Sequence, residues 1–208
     1  MQIRPALQYL FLKFQAVLLL GVGRRSSALP RFEQMLQLRP ADRYALASRA
    51  HLLAQLNHFA EAIASLQRLT CIAGSAPQEA AAWFNLGFVL QQAGRHDDAG
   101  LAFQQALERD PCMDRAWYGL ALVLIHQGQF HDAVKALKKN TALQPLSPYG
   151  WYRLAQVRLA LGQPDKALKV IEHLRQFEPR VAAQLEHETG LRPGAATVDM
   201  AGVGDAAH

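Results

Sequence analysis

The three tryptophans of this 208-residue chain stand 34 residues apart, at Trp83, Trp117 and Trp151. A glycine, an alanine and a proline of each segment keep the same period: Gly94, Gly128 and Gly162; Ala99, Ala133 and Ala167; Pro111, Pro145 and Pro179. A fixed period of this length is typical of identical supersecondary units that stack and bury their apolar faces on one another. The spacing therefore predicts a solenoid.

Within each segment the residues predict two helices joined by a tight turn. Trp83, Leu86 and Leu90 follow the helical period and form the apolar stripe of an amphipathic helix. Gly94 comes where that helix ends, because the turn favours a left-handed residue. A small residue such as Ala99 is expected where the two helices cross closely. The sequence has no strand-like alternation of apolar and polar residues, so an all-α protein is predicted.

The pattern resembles the tetratricopeptide repeat (TPR), a helix–turn–helix unit with the signature W-L-G-Y-A-F-A-P. The segment that starts at Ala80 matches nearly every position of the signature: Trp83, Leu86, Gly87, Leu90, Gly94, Ala99, Phe103, Ala106 and Pro111. The resemblance implies an all-α, right-handed superhelical solenoid of helix–turn–helix repeats. It also implies a non-enzymatic protein that binds another protein.

Five repeats are predicted, over residues 9–42, 43–79, 80–113, 114–147 and 148–181. The second is longer than the others, and its three extra residues are expected around Gly74 to Pro77, where the chain leaves a helix. Residues 1–8 are predicted as a lead-in and 180–190 as a capping helix. Residues 191–208 are small, rich in glycine and without periodicity, which predicts a disordered tail.

The N-terminal segment is unusually apolar and basic. Lys13 interrupts the apolar run of residues 5–23, and a membrane span needs about 20 apolar residues. Arg24 and Arg25 follow at once without a small-residue cleavage site, which argues against a secretory signal. We predict the first helix of the first repeat. The alternative is association of residues 5–25 with a membrane or partner, since a terminal repeat needs a polar outer face.

The distribution of charge indicates which kinds of partner to expect, and the cysteines indicate the cellular compartment. Up to residue 50 the chain has eight basic residues and two acidic ones, whereas the net charge of the whole chain is +5. This imbalance favours an acidic protein or an anionic membrane surface. Nucleic acid is not expected, because the basic residues are spread singly and no nucleic-acid motif accompanies them. Cys71 and Cys112 offer no disulfide framework, which favours a cytoplasmic location, with a position peripheral to a membrane as the alternative.

No catalytic residue, cofactor or metal site is predicted. The chain has no glycine-rich phosphate loop after a strand and no nucleophile elbow. His96 and His131, each followed by aspartate, occupy nearly equivalent places in successive repeats, so they step along the stack and do not converge. The aspartates suit helix starts, where they stabilise the helix dipole.

The TPR resemblance implies where a partner binds, because the first helix of each TPR repeat lines the concave face. The residues carried over to that face are rich in aromatics, and exposed aromatic residues often form binding hot spots. The candidate partner-binding residues are Phe84, Asn85, Phe88, Arg115, Tyr118, Leu122, Tyr152 and Arg153. A competing interpretation is that these aromatics fill contacts between neighbouring first helices.

The expected partner is a protein or peptide segment. Only Asn85 and the charge of Arg115 match the clamp with which some TPR proteins grip a C-terminal carboxylate, so an extended or helical segment with apolar anchors is expected. A scaffold or adaptor is the main hypothesis. One alternative is an accessory subunit of a membrane-associated secretion, pilus or envelope-biogenesis assembly, docked by the apolar basic N-terminus. Another is a regulatory module that acts on an enzyme in trans.

Overall fold

A computed structural model describes residues 5–191 of the chain. Within that range it contains eleven helices: α1 (Pro5–Gly21), α2 (Arg25–Leu38), α3 (Arg43–Gln55), α4 (Phe59–Thr70), α5 (Ala76–Gln92), α6 (His96–Arg109), α7 (Asp114–His126), α8 (Phe130–Leu143), α9 (Pro148–Ala160), α10 (Pro164–Phe177) and α11 (Pro179–Thr189). No β-strand occurs in the described part. The predicted all-α fold of helix–turn–helix units is therefore confirmed.

The chain forms two compact units, Met1–Ala136 and Leu137–His208. In the first unit, α1 packs on α2, α3 on α4 and α5 on α6, and each pair contacts the next through α2–α3, α4–α5 and α6–α7. Such contacts between helices that follow one another in the chain are typical of stacked repeats. In the second unit α9 packs on α10, and α11 contacts both.

The turn and crossing positions behave as the sequence predicts. The second residue after the first helix of each pair has a left-handed backbone, with φ of 75° at Gly23, 61° at Asn57, 75° at Gly94, 72° at Gly128 and 66° at Gly162. The small residues of the second helices are fully buried, namely Ala28, Ala62, Ala99, Ala133 and Ala167. Asparagine replaces glycine once, which its tolerance of the left-handed region allows.

Two helices begin earlier than the sequence predicts. α1 begins at Pro5, so residues 5–8, expected in the lead-in, form its first turn. α5 begins at Ala76 and not at Ala80. The extra residues of the second repeat thus lengthen α5 and do not form only a loop. Proline in the first helical turn is favourable, because it has no amide hydrogen that the helix would leave unpaired.

The start of α5 is held by side-chain hydrogen bonds. The backbone N–H of Ser75 donates to Oε1 of Gln78, 3.2 Å away. From α3, the Arg43 guanidinium donates to the carbonyl of Ile72 and, at 3.0 Å, to the carbonyl of Gln78. The bonds from Arg43 join the loop after α4 to the first turn of α5 and fix the connection between the repeats.

α1 belongs to the first unit through its inner face. Tyr9, Leu12 and Ala16 are buried, and the Tyr9 hydroxyl donates to Asp42, 2.6 Å away. The other carboxylate oxygen of Asp42 accepts from the Ala45 N–H at the start of α3. None of the helices described here is long and apolar enough to cross a membrane.

The short helix predicted near the C-terminus is α11, and Gly190 follows it with φ of 71°. Its buried residues, Ala182 and Leu185, face the second unit. The predicted disordered tail, except for Leu191, lies outside the described residues.

Candidate functional site

The eight predicted partner-binding residues fall on three helices. Phe84, Asn85 and Phe88 lie on α5; Arg115, Tyr118 and Leu122 lie on α7; Tyr152 and Arg153 lie on α9. The first six belong to the first compact unit and the last two to the second. The residues of the two units are therefore described separately.

A cavity of about 310 Å³ opens between α3 and α5 in the first unit. Its lining combines apolar and amide side chains: Ala47, His51, Ala54, Gln55, Leu66, Asn85, Phe88, Val89 and Gln92. Asn85 is exposed, and Phe88 leaves 48% of its surface to solvent. The cavity can therefore take an apolar side chain, while the amides of Asn85 and Gln92 can bind a peptide backbone.

His51 is oriented by a neighbour one helical turn away. Nε2 of Gln55 lies 2.9 Å from Nε2 of His51. This hydrogen bond orients the His51 ring at the edge of the cavity.

Phe84 links the candidate surface to the core. Its ring centroid lies 6.4 Å from that of Phe88 in a stacked arrangement, and 5.9 Å from that of the buried Phe103. The Arg115 guanidinium lies 4.9 Å from the Phe84 ring centroid, a distance at which a cation is attracted to the ring face. Phe84 therefore joins the α5 and α7 parts of the predicted surface, and it is half-buried.

Tyr118 and Leu122 are half-buried on α7. They are four residues apart and so lie on one face of the helix. Arg115, three residues before Tyr118, is exposed. α7 thus offers partly apolar surface beside a cation that Phe84 positions.

In the second unit the structure joins Tyr152 to α11. The Tyr152 hydroxyl donates to the Glu188 carboxylate at 2.6 Å, and Gln184 donates to the same carboxylate at 2.7 Å. The bond from Tyr152 lowers the pKa of Glu188 and raises that of Tyr152. Arg153 donates to Oε1 of Gln156 at 2.9 Å. A partner that accepts a hydrogen bond from the Tyr152 hydroxyl must displace Glu188.

A smaller cavity lies beside Tyr152. It measures about 280 Å³ and is lined by Pro148, Tyr149, Tyr152, Val181 and Gln184. Two of these residues belong to α11, so the predicted capping helix also shapes the surface next to a candidate residue. The sequence indicated the helix, but it contained no signal for the bond between Tyr152 and Glu188.

Some lining residues were not in the predicted set. Gln55, Val89 and Gln92 line the larger cavity together with Asn85 and Phe88. His51 also lines it, and the repeat register places His51 on the concave face, at the position of Phe88 one repeat earlier.

His96, at the start of α6, stacks on another histidine of the first unit. The His96 and His126 rings stack with their centroids 3.8 Å apart. Between residues 5 and 191, no three histidine, cysteine, aspartate or glutamate side chains are placed to hold a metal ion. The carboxylates beside these histidines make local contacts, such as Asp97 accepting from Gln127 at 2.7 Å.

Helix pairs with a left-handed turn residue, a buried crossing alanine and a 34-residue period define a helical repeat protein. The chain belongs to the tetratricopeptide repeat family: models described as "Tetratricopeptide repeat" match residues 15–77, 90–151 and 124–185. These ranges extend into both compact units and leave residues 78–89 unmatched. A comparison with curated proteins finds no match.

Solved TPR structures share the fold. A crystal structure of MamA matches with a TM-score of 0.74 at 20% identity, over 81% of this chain and 96% of that one. MamA 41-end from Desulfovibrio magneticus RS-1 matches with a TM-score of 0.73 at 18% identity, over 88% and 98%. YrrB, "a TPR protein with an unusual peptide-binding site", matches with a TM-score of 0.69 at 18% identity, over 83% and 88%. At these identities the likeness is one of fold.

Proposed function

We propose that this protein is a non-enzymatic scaffold or adaptor that binds a peptide segment of another protein on the surface formed by α3, α5 and α7. The observation that carries the proposal is Phe88, a large aromatic side chain left half in solvent at the mouth of a cavity. Burying such a ring in a complex stabilises it by removing apolar area from water. YrrB, which shares the fold, has a peptide-binding site by its own description, and this supports the proposal.

The surroundings of Phe88 suit a peptide with one apolar anchor. The anchor enters beside Phe88 and Val89, and the side-chain amides of Asn85 and Gln92 bond the peptide backbone. Arg115, held over the Phe84 ring, attracts a carboxylate of the partner. A peptide with an apolar residue near an acidic one is thus what the surface favours.

The test begins with selection of peptides from a random display library on the full chain. Affinities of the selected peptides are then measured by calorimetry for the parent, for Phe88→Ala and for Asn85→Ala. We expect Phe88→Ala to weaken binding by about 2 kcal/mol, a loss of hot-spot size. Leu101→Ala is the matched control, because Leu101 is an exposed leucine on α6, outside this surface. Equal affinity of the parent and Phe88→Ala for every selected peptide would contradict the proposal.

Tyr152 and Arg153 form a separate candidate site in the second unit. We propose that a partner reaches this site only after Glu188 releases the Tyr152 hydroxyl.

We also propose a reducing, cytoplasmic location, which the exposed free thiols of Cys71 and Cys112 support.

A further inference from the structure

α1 has two apolar faces on opposite sides, and the first unit uses only one of them. The inner face is buried through Tyr9, Leu12 and Ala16. The outer face exposes between 49% and 66% of six large apolar side chains: Leu7, Leu10, Phe11, Phe14, Val17 and Leu18. At 3.6 residues per turn these six fall within a sector about 120° wide. A contiguous apolar patch of this kind marks an interaction site.

Polar residues border the outer face of α1. By the same helical period, Gln8 and Gln15 lie along one edge, and Lys13 lies along the other. The ammonium group of Lys13 is 4.7 Å from the centroid of the Tyr44 ring. The outer face is therefore a sharply bounded apolar stripe that runs the length of the helix.

The charge around this stripe is positive. Between residues 5 and 32 the charged residues are Lys13, Arg24, Arg25 and Arg31, and the first carboxylate of the described chain is Glu33. Arg24 and Arg25 are exposed immediately beyond the C-terminal end of α1. An apolar helix face beside arginines, without a carboxylate, complements an anionic lipid surface.

A second copy of the chain fits this face less well. A stable protein interface takes roughly 20–30 residues from each side. The outer face of α1 offers six large apolar residues, and Val22 in the following turn adds a seventh. A bilayer needs no matching shape from the helix, so a narrow stripe is enough.

We propose that α1 binds an anionic phospholipid membrane, lying in the plane of the bilayer surface. Phe11, Phe14 and the neighbouring leucines enter the boundary between headgroups and acyl chains, and Arg24 and Arg25 pair with the lipid phosphates. The helix is already folded on the first unit through Tyr9 and Asp42, so binding carries no cost of helix formation. The site is separate from the surface around Phe88, and the two can fail independently.

Flotation of the full chain with lipid vesicles tests the proposal. Vesicles of phosphatidylcholine are compared with vesicles that also contain phosphatidylglycerol. We expect the parent to float with the anionic vesicles and to be released by alkaline carbonate, as an in-plane helix is. Phe11→Gln with Phe14→Gln should lower the partition coefficient at least about tenfold, because two rings stay in water. Arg24→Gln with Arg25→Gln should lower it about thirtyfold on anionic vesicles only.

Leu101→Gln is the matched control, since Leu101 is 63% exposed but stands alone on α6; it should float like the parent. Circular dichroism checks that each variant is folded. A parent that does not float with anionic vesicles, or an unchanged partition of the phenylalanine variant, overturns the proposal. Sedimentation equilibrium tests the other occupant. If the parent is a dimer that does not bind vesicles, and the phenylalanine variant is a monomer, the outer face of α1 binds a second copy and the proposal is overturned.

Discussion

The ring of Phe103 lies so close to the backbone of Gly119 that a β-carbon at Gly119 would be 2.6 Å from Cζ of the ring. Gly87 approaches the same ring, with a β-carbon position 2.8 Å from Cδ1. Phe103 belongs to α6, and the two glycines belong to α5 and α7. One buried aromatic ring thus sets the spacing of two neighbouring first helices, and glycine makes the approach possible.

Gly119→Ala should therefore lower the free energy of unfolding. The new methyl group must displace a ring that is itself 1% exposed. Overpacking costs about 1–3 kcal/mol, offset by about 1 kcal/mol of improved helix propensity. Gly100→Ala is the control, because its β-carbon would meet only a side-chain atom of Val123, at 3.3 Å. Urea unfolding measures both, and equal stability of the two variants would contradict this account of Phe103.

Alanine substitutions at Phe84 and Phe88 should lower the free energy of unfolding by different amounts, although both residues lie on α5. Phe84 packs on Phe103, whereas Phe88 is half in solvent. We expect Phe84→Ala to cost roughly 2 kcal/mol, less than a fully buried phenylalanine, and Phe88→Ala to cost less than about 1 kcal/mol. Thermal melts check the order. A larger loss for Phe88→Ala would show that its ring serves mainly the fold, and would remove it from the proposed site.

Tyr9 makes the first unit sensitive to alkaline pH. Burial first, and then the bond to Asp42, raise the pKa of Tyr9 to about 12, from an ordinary value of about 10. The folded state holds the proton more tightly, so this stabilisation is complete below about pH 10 and is lost as pH rises towards the folded pKa.

Tyr9→Phe tests this assignment. Below pH 10 it should be less stable than the parent by about 1 kcal/mol, the net value of a hydrogen bond. The difference should shrink between pH 10 and the folded pKa of about 12, because only the parent has a group to ionise. Urea unfolding at a series of pH values measures it. A constant difference across the series would contradict the assignment.

The hydrogen bond between Tyr152 and Glu188 should make the attachment of α11 sensitive to acid pH. The bond from Tyr152 depresses the pKa of Glu188, so the stabilisation is present above the ordinary glutamate pKa and is lost as pH falls through the folded one. Tyr152→Phe should raise the pKa of Glu188 towards its ordinary range. Carboxyl-carbon NMR titration of Glu188 measures the shift. Gln184→Ala should raise it less, and identical curves for parent and Tyr152→Phe would exclude the bond in solution.

For the candidate surface, the sequence predicted which helix each residue lies on and which repeat position it occupies, but not its contacts. Phe84 and Phe88 are four residues apart, and the repeat register placed both on the partner-facing row. Only the packing of α6 decides that Phe84 turns partly into the core. The link between Tyr152 and Glu188 spans 36 residues, and no local pattern predicts where a chain returns in space.

The sequence by itself determined the repeating helix pairs, because turn conformation at Gly94 or Asn57 and helical periodicity are local properties of the chain. It also placed a small alanine at each crossing. For α1 the repeat register also placed Leu12 at the position of Trp83 and Ala16 at that of Gly87, and the structure buries both. The tertiary structure decided that the apolar residues on the opposite side, such as Phe11 and Phe14, remain in solvent. Burial of a helix face depends on which other helices pack against it, and α2 and α3 can cover only one side of α1.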